Sequence, residues 1–520
     1  MQSIGQIVAV MLIASLAGIE SVLDEWQWHR PLLVCTLIGI ALGSLHTGLF
    51  IGGELELLAL GWMNIGAAQS PDTALAGVFA TLLAVRAGHD VSSAIALSIP
   101  LAMAGNLSTV LVRSMTIPVH HMADRITQNS PRSYLLLLHM GSLLLQALRV
   151  AIPALLFEVL VKRAVILAIF QSIPLVVQQG FTVASGFVVV VGYAMVIRSL
   201  RARELMPYLL LGFLLAANST TTLVTIGVIA CCLAWLHIRL WTKHDTRAVD
   251  VSGLPDLQTT SAMKISRPVL WRVFWRSQFH QASWNYERMQ GLGYAFTMEP
   301  ALDVLYKDEQ MRCERKQQHL EFFNTQPYVA NLVIGMNLAL EERLSEGRQS
   351  FSRLIQSVKL GMMGPLAGVG DSLYWGTIRP LLGSLGAAMA LHGNIMGPVF
   401  FFVSWNVIRL GSRWGLLFYG YRFGLKMVNT IATGFLRQIN EGAAIVGLFV
   451  MGALVAVWTH VNFSLPMIDT ILSQTIPKLP NLLLLFFVLW LLRRGWHSVG
   501  IILLLFILAV CGVFVHVLQP

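Results

Sequence analysis

Residues 24–53 read DEWQWHRPLLVCTLIGIALGSLHTGLFIGG. Charged, amide and aromatic side chains crowd into Asp24 to Arg30, and then no Asp, Glu, Lys or Arg appears from Pro31 to Gly53. An apolar block of that length crosses the roughly 30 Å hydrocarbon core of a bilayer as a helix. Further blocks of the same kind run from Tyr134 to Leu160, Gly180 to Val196, Pro207 to Trp241, Ala443 to Trp458, Leu482 to Leu492 and Val499 to Leu518. Composition agrees: 56% of the 520 residues are hydrophobic and 12% charged, against about 25% charged in a soluble domain. The chain reads as an all-α, polytopic membrane protein, with about a dozen spanning or half-spanning segments.

The first apolar stretch, Ile7 to Leu16, has no basic region before it and no A-x-A site after it, so it is expected to be a retained helix. Cys35, Cys231, Cys232, Cys313 and Cys511 show no metal-like spacing. They are expected to be buried small residues in a reducing setting. The net charge of +10 reads as membrane orientation rather than nucleic-acid binding. Arg198, Arg201 and Arg203, then Lys243, Arg247, Lys264, Arg267, Arg272 and Arg276, surround the middle of the chain and place it on the cytoplasmic side. Arg493 and Arg494 mark a second cytoplasmic loop.

Charge divides the chain in two. Residues 263–360 hold 23 charged side chains, over a third of the total in under a fifth of the length. The polar stretch Val251 to Ser261 before them reads as linker. We therefore expect a first membrane domain at 1–245, a cytoplasmic linker at 246–265, and a second domain at 266–520. The second would have amphipathic helices over 266–360, outside the hydrocarbon or shielded from it, and membrane helices over 361–520. A faint echo links the halves. Gln179-Gly180 opens a helix with Gly186 and Gly192, and Glu441-Gly442 opens one with Gly447 and Gly452. Ordinary helix-packing glycines and a distant structural repeat both account for this.

Polar residues inside apolar context are costly and usually carry a task or a partner. Asp24 to Pro31 reads either as a solvated loop with interfacial aromatics or as a sugar-type site. In the latter, carboxylates and amides bond hydroxyls while aromatic faces cover C–H surface. Gly52 to Asp72, interrupted by glycines, Asn64 and Pro71, reads as a broken or re-entrant helix, tolerated beside a cavity, or as a kinked helix end. Asp371 and Arg379 are rare charges in an apolar region and are candidates to pair with each other. Ser283 to Gln290 and His319 to Pro327 gather amides, carboxylates and aromatics. The sequence holds no G-x-x-x-x-G-K-[ST] loop, no H-E-x-x-H and no zinc-spaced Cys/His cluster. His120-His121 reads as interfacial. No metal or cofactor is expected, and any nucleotide chemistry must come from a partner.

These clusters carry a resemblance. LDEWQWHRPLLVCTLIGIALG (23–43), IGGELELLALGWMNIGAAQSPD (51–72), GSLLLQALRVAIPA (141–154) and VVVVGYAMVIR (188–198) are similar to the IIC component of mannose-type phosphotransferase permeases. FHQASWNYERMQGLGYAF (279–296), HLEFFNTQPYVA (319–330), GMMGPLAGVGDSLYWGTIRP (361–380) and EGAAIVGLFVMGALVAVWTHV (441–461) resemble the IID component. The likeness covers residues 4–245 and 266–520. Departures are Gly18-Ile19-Glu20-Ser21 where the family often has Gly-x-Gly-Ser, Ser372 where Pro commonly follows GVGD, and Glu299 where an apolar residue is usual.

The resemblance implies a fused IIC–IID permease in a bacterial cytoplasmic membrane. Its halves would share a related fold in inverted orientation, and the chain would assemble as a homotrimer. The permease would pass a hexose or amino sugar to a cytoplasmic IIAB protein that phosphorylates it, and would itself carry no phosphohistidine. A sugar transporter or receptor uncoupled from phosphorylation is the alternative. On this reading the sugar sits between the halves near Gly61 to Asp72. Asp24, Gln27, Asn64, Gly66 and Gln69 are the first half's candidates. Asn285, Glu287, His319, Glu321 and Asn324 of the second half complete the site or shape its exit, while Asp371 and Arg379 lock the second half's own broken segment. The charged 263–360 region is the expected docking face for IIAB, with a partnerless solvated face as the alternative.

Overall fold

The computed structural model describes residues 3–62, 71–87, 91–129, 135–161, 168, 174–199, 203–218, 223–241, 264–347, 351–424, 436–461 and 476–518. The candidates Asn64, Gly66 and Gln69, and the linker up to residue 263, lie outside these. The described residues form α-helices with two short 3₁₀ turns and one π-helical stretch, and they include no named β-strand. Among them, five helices are long and apolar enough to cross a bilayer, and others are shorter apolar pieces. The chain is a multi-pass membrane protein.

The opening stretch does not form one span. It folds into a hairpin of α2 (Pro31–Ala41) and α3 (Leu45–Leu58), following α1 (Ile4–Leu23). The break is at Gly43, whose φ of +76° suits a residue without Cβ. The N–H of Gly43 returns to Ile40 O (3.1 Å) and that of Ser44 to Gly39 O (2.7 Å). Two half-length helices thereby replace one span.

The second half repeats this device. Pro380 sits in the first turn of Arg379–Leu391 as Pro31 does in Pro31–Ala41, where its missing N–H costs nothing. Gly393, also at φ +76°, closes the turn with Gly393 N to Ala390 O (2.8 Å) and Asn394 N to Met389 O (3.0 Å). Met396–Phe423 then runs back. The two hairpins lie against each other, with Gly53 facing Leu391 and Gly383 facing Glu56.

The packing of the remaining apolar helices is reciprocal. Leu175–Ser199 of the first half packs on Leu479–Arg493 and Ser498–Phe514 of the second, and Leu436–Trp458 of the second packs on Met206–Asn218 and Leu223–Trp241 of the first. Gly180, Gly186, Gly442 and Gly452 of the echo face the other half, while Gly192 packs on Leu58 and Gly61 of its own. Gly180 faces Val510, Gly186 O accepts the N–H of His460 (2.8 Å), and Gly452 faces Leu209 as Gly212 faces Phe449. Small residues allow this close approach without a hydrophobic drive between helices. Within the apolar run Pro207 to Trp241 the described residues form the helices Met206–Asn218 and Leu223–Trp241.

The charged region is helical and partly shielded among the described residues. Gly291–Leu305 and Ala330–Ser345 are buried along most of their length, and Gly335 of the latter meets Gly420 backbone to backbone. Of the five cysteines only Cys35 is buried in protein. Cys231, Cys232 and Cys511 are exposed and Cys313 is intermediate, contrary to expectation. A lipid-facing helix surface needs no protein cover for an apolar side chain, so burial in protein and residence in an apolar segment are separate properties.

Gly452→Ala is expected to lower the melting temperature of the detergent-purified protein by several degrees. Its Cβ would lie 2.9 Å from Phe213 N and closer still to the Leu209 backbone, an overpacking worth about 1–3 kcal/mol. Gly411→Ala, with nothing within 4 Å of the new Cβ, is expected to leave the melting curve in place.

Candidate functional site

Helix Ile4–Leu23 ends at Asp24, which takes a left-handed conformation (φ 51°) and returns its N–H to Glu20 O at 2.8 Å. Gln27 is left-handed too (φ 68°), and the next helix starts at Pro31. Residues 24–30 thus form a tight connector between two apolar helices, and the second half grips it.

Glu25 is wholly buried. Its Oε2 accepts from Arg409 Nη1 (2.8 Å), and Arg413 Nη2 lies 2.8 Å from its Oε1. Trp405 Nε1 donates to Glu25 O (3.0 Å), and Tyr328 Oη donates to Asp24 O (2.5 Å). Gln281 Nε2 donates to Leu23 O (2.9 Å). Arg409 also bonds Gln278 and stacks 4.3 Å over Trp26. A buried pair survives desolvation only with such additional bonds.

Beside this clamp Arg379 Nη1 reaches Asp24 Oδ1 and Oδ2 at 3.3 and 3.4 Å, and its guanidinium covers Trp375 at 4.3 Å. The expected Asp371–Arg379 partnership is therefore replaced by a bond to the first half. Asp371 and Arg379 bracket the π-helical stretch Asp371–Ile378, so the interruption of the second half's helix falls where the two charges stand.

A polar cavity opens between the halves. Asp24 and Arg113 line it from the first half, and Gln281, Gln290, Asn324, Gln326, Asp371 and Trp375 line it from the second. Gln27 supports it from behind, donating its amide to Asp24 Oδ1 at 2.8 Å. His29 Nε2 lies 3.6 Å from the same oxygen. Several polar atoms around Asp24 are buried without a hydrogen-bond partner: Gln27 Oε1, His29 Nδ1, Arg113 Nε, Gln326 Nε2, and Nε and Nη2 of Arg379. Each such atom costs about 1–3 kcal/mol while unpaired.

The structure brings Asp24, Gln27 and Asn324 together and holds Asn285, Glu287, His319 and Glu321 elsewhere. Asn285 Oδ1 accepts from Glu287 N and Arg288 N and shapes a turn. Glu287 reaches the surface beside His121 at 3.0 Å. His319 Nε2 lies 2.8 Å from Glu341, which also holds Arg315 and Tyr306. Burial pushes the Glu341 carboxyl up, but His319 and Arg315 outweigh it and hold it down at about 2. Glu321 is exposed, and its carbonyl receives Lys359 Nζ at 3.0 Å. The unusual Glu299 is buried between Arg276 (2.5 Å) and Lys316 (2.8 Å), which explains how a carboxylate is tolerated there. Asp72 pairs with Arg149 and caps Thr73–Ala87 through Leu75 N (3.1 Å).

Sequence reasoning flagged the clusters that hold Glu25, Gln290 and Gln326 without choosing those residues, and it missed Arg113 and Gln281, the place of Trp375 in the cavity wall, and the clamp residues Arg409 and Arg413. Arg409 and Arg413 were findable: two arginines four apart, inside an apolar helix, need buried carboxylates.

A cavity of orphaned polar groups between two interlocked helical halves in the membrane defines a permease. Residues 4–236 match the family described as "PTS system sorbose-specific iic component", and residues 264–518 match "PTS system mannose/fructose/sorbose family IID component". The mannose-specific EIIC component of Escherichia coli K12 is 46% identical over 48% of this chain and 92% of its own length. The mannose-specific EIID component of the same strain is 44% identical over 49% of this chain and 95% of its own. A cryo-EM chain from the mannose transporter ManYZ in complex with microcin E492 is 42% identical, covers half of this chain and all of its own, and has a TM-score of 0.31. The chain belongs to the mannose family of phosphotransferase-system permeases and joins its IIC and IID components in one polypeptide, the membrane sugar-translocation unit of such a system.

Breaking the clamp should separate the halves. With a protease site placed in the linker, the cut wild-type protein is expected to co-purify as two fragments through an affinity tag on one. Glu25→Ala strands two buried guanidinium groups, a loss of about 3–5 kcal/mol, and is expected to release the untagged fragment.

Proposed function

We propose that the Asp24 cavity is the place where a hexose or amino sugar rests as it crosses, before a cytoplasmic IIAB partner phosphorylates it. The observation that carries this is the set of orphaned buried atoms around Asp24. Arg113, Gln326 and Arg379 offer donors, Gln27 Oε1 offers an acceptor, and Trp284 and Trp375 add aromatic faces to the wall. A polyhydroxylated ring supplies donors, acceptors and C–H surface together. Asn64, Gly66 and Gln69 complete the first half's share of the site by the family resemblance.

Residues 1–245 then work as the IIC-like unit and 266–520 as the IID-like unit, joined by a cytoplasmic linker at 246–265, in a bacterial cytoplasmic membrane. The resemblance supports a homotrimer. Two features support docking of IIAB on the 263–360 region: its charge density, and the exposed Lys307, Asp308, Glu309 and Glu314 at and within Glu309–His319. The chain has no phosphoryl-carrying role in this scheme. The sugar is trapped because its 6-hydroxyl meets the phosphohistidine of the partner.

In vesicles containing the protein, accumulation of labelled mannose or sorbose is expected only when IIAB, the general phosphotransferase proteins and phosphoenolpyruvate are inside. Accumulation without them would mean an uncoupled transporter and overturn the proposal. Asp24→Asn and Gln326→Ala, at wild-type abundance, are each expected to lower uptake efficiency about tenfold or more, the effect of losing one hydrogen bond in a desolvated site.

A further inference from the structure

We infer that Glu20 is a positioning residue for sugar recognition, its carboxyl group holding the left-handed connector in which Gln27 backs Asp24 and Asp24 faces the cavity. This rests on the reading of the Asp24 cavity as the sugar site.

Glu20 lies in the last turn of Ile4–Leu23, is 1% exposed, and is not among the described residues that line the cavity. It holds the connector at two points. Its backbone carbonyl accepts Asp24 N at 2.8 Å, and its side-chain Oε2 accepts Gln27 N at 2.9 Å. The second bond matters because Gln27 adopts φ 68°, a conformation that side chains with a Cβ disfavour and that persists only when the surroundings over-determine it. With its backbone so held, Gln27 turns its amide nitrogen onto Asp24, 2.8 Å from Oδ1 and 3.1 Å from the carbonyl, and leaves Oε1 unpaired. Asp24 is held from the other side by Arg379. One carboxyl group behind the cavity thus fixes Gln27 and, through it, the aim of Asp24, which lines the cavity. The residue that needs the tether, Gln27, and the residue that supplies it, Glu20, are seven apart with a helix end between them, so no local repeat or capping rule relates them.

The test uses the full-length protein in proteoliposomes and equilibrium binding of mannose, or of sorbose if mannose does not bind, with the monodeoxy analogues of that sugar. In the wild type, removal of the hydroxyl held by Asp24 is expected to weaken binding about tenfold. Glu20→Ala is expected to weaken the parent sugar by a similar factor and to shrink that deoxy penalty to about threefold or less. Glu20→Gln keeps an acceptor oxygen at the same reach and is expected to behave as wild type. Glu20→Asp keeps the carboxyl group but falls one methylene short, so it is expected to resemble Glu20→Ala, and it carries the test if the alanine variant does not fold.

A purely structural role would depress every sugar alike, so wild-type deoxy penalties in the Ala and Asp variants overturn the inference. Failure of Glu20→Gln to bind as wild type does the same. Asp24→Asn is measured in parallel. If it binds the parent sugar normally, the cavity reading itself fails. If Asp24→Asn is weakened while the Glu20 variants are not, the inference about Glu20 fails alone.

Discussion

Two guanidinium groups and one carboxylate, all withdrawn from solvent, hold the halves in register: Glu25 between Arg409 and Arg413. A charge in hydrocarbon is tolerated only when paired and hydrogen-bonded. Neither the connector at 24–30 nor the helix Met396–Phe423 can satisfy its own charges. Trp405 and Tyr328 bond the connector's backbone from the same side, so the second half reads its carbonyls as well as its side chain. The cavity exists because this clamp sets Asp24 opposite Gln326 and Asp371.

The two hairpins show how similar local chemistry serves different ends. Each begins with Pro in its first turn and closes on a left-handed glycine. Their leading arginines diverge. Arg30 bonds Glu56 of its own hairpin at 2.5 Å and closes it internally. Arg379 reaches across to Asp24 and keeps two nitrogens unspent. The first half's arginine is bound within its own half, whereas the second half's bonds Asp24, which lines the cavity.

Much of this architecture was legible from residue order. The all-helical membrane class followed from apolar blocks, and the two-part organisation from where the charges concentrate. Asp24, Gln27 and Asn324 were identifiable because carboxylates and amides beside apolar helices demand a reason. The hairpin was not legible, since Gly43 within 31–53 looks like any glycine of a membrane helix until the turn's hydrogen bonds are seen. Nor were the partners of buried charges: Asp371 and Arg379 stand close in sequence, yet Arg379 finds a carboxylate 355 positions away. Spacing predicts contacts along one helix and says nothing about contacts between helices brought together by the fold. His319 and Asn285 were drawn in by the company they keep in sequence, although their side chains are occupied with Glu341 and with a turn.

The reciprocal packing has a consequence for how the chain is made. Leu175–Ser199 packs on Leu45–Leu58 and Val91–Met115 of its own half, but its other face is covered by Leu479–Arg493 and Ser498–Phe514. Those partners emerge from the ribosome some 280 residues later, roughly 15–60 s at ordinary elongation rates. Throughout that interval the part of Leu175–Ser199 around Gly180, which ends against Val510, lacks that cover and meets lipid tails instead, while Gly192 already packs on Gly61. Its small side chains let acyl chains fill the notch without a polar penalty, and the later helices displace them. Early insertion and late assembly are thereby uncoupled within one polypeptide, and translation order sets the sequence of lipid exchange that completes the permease.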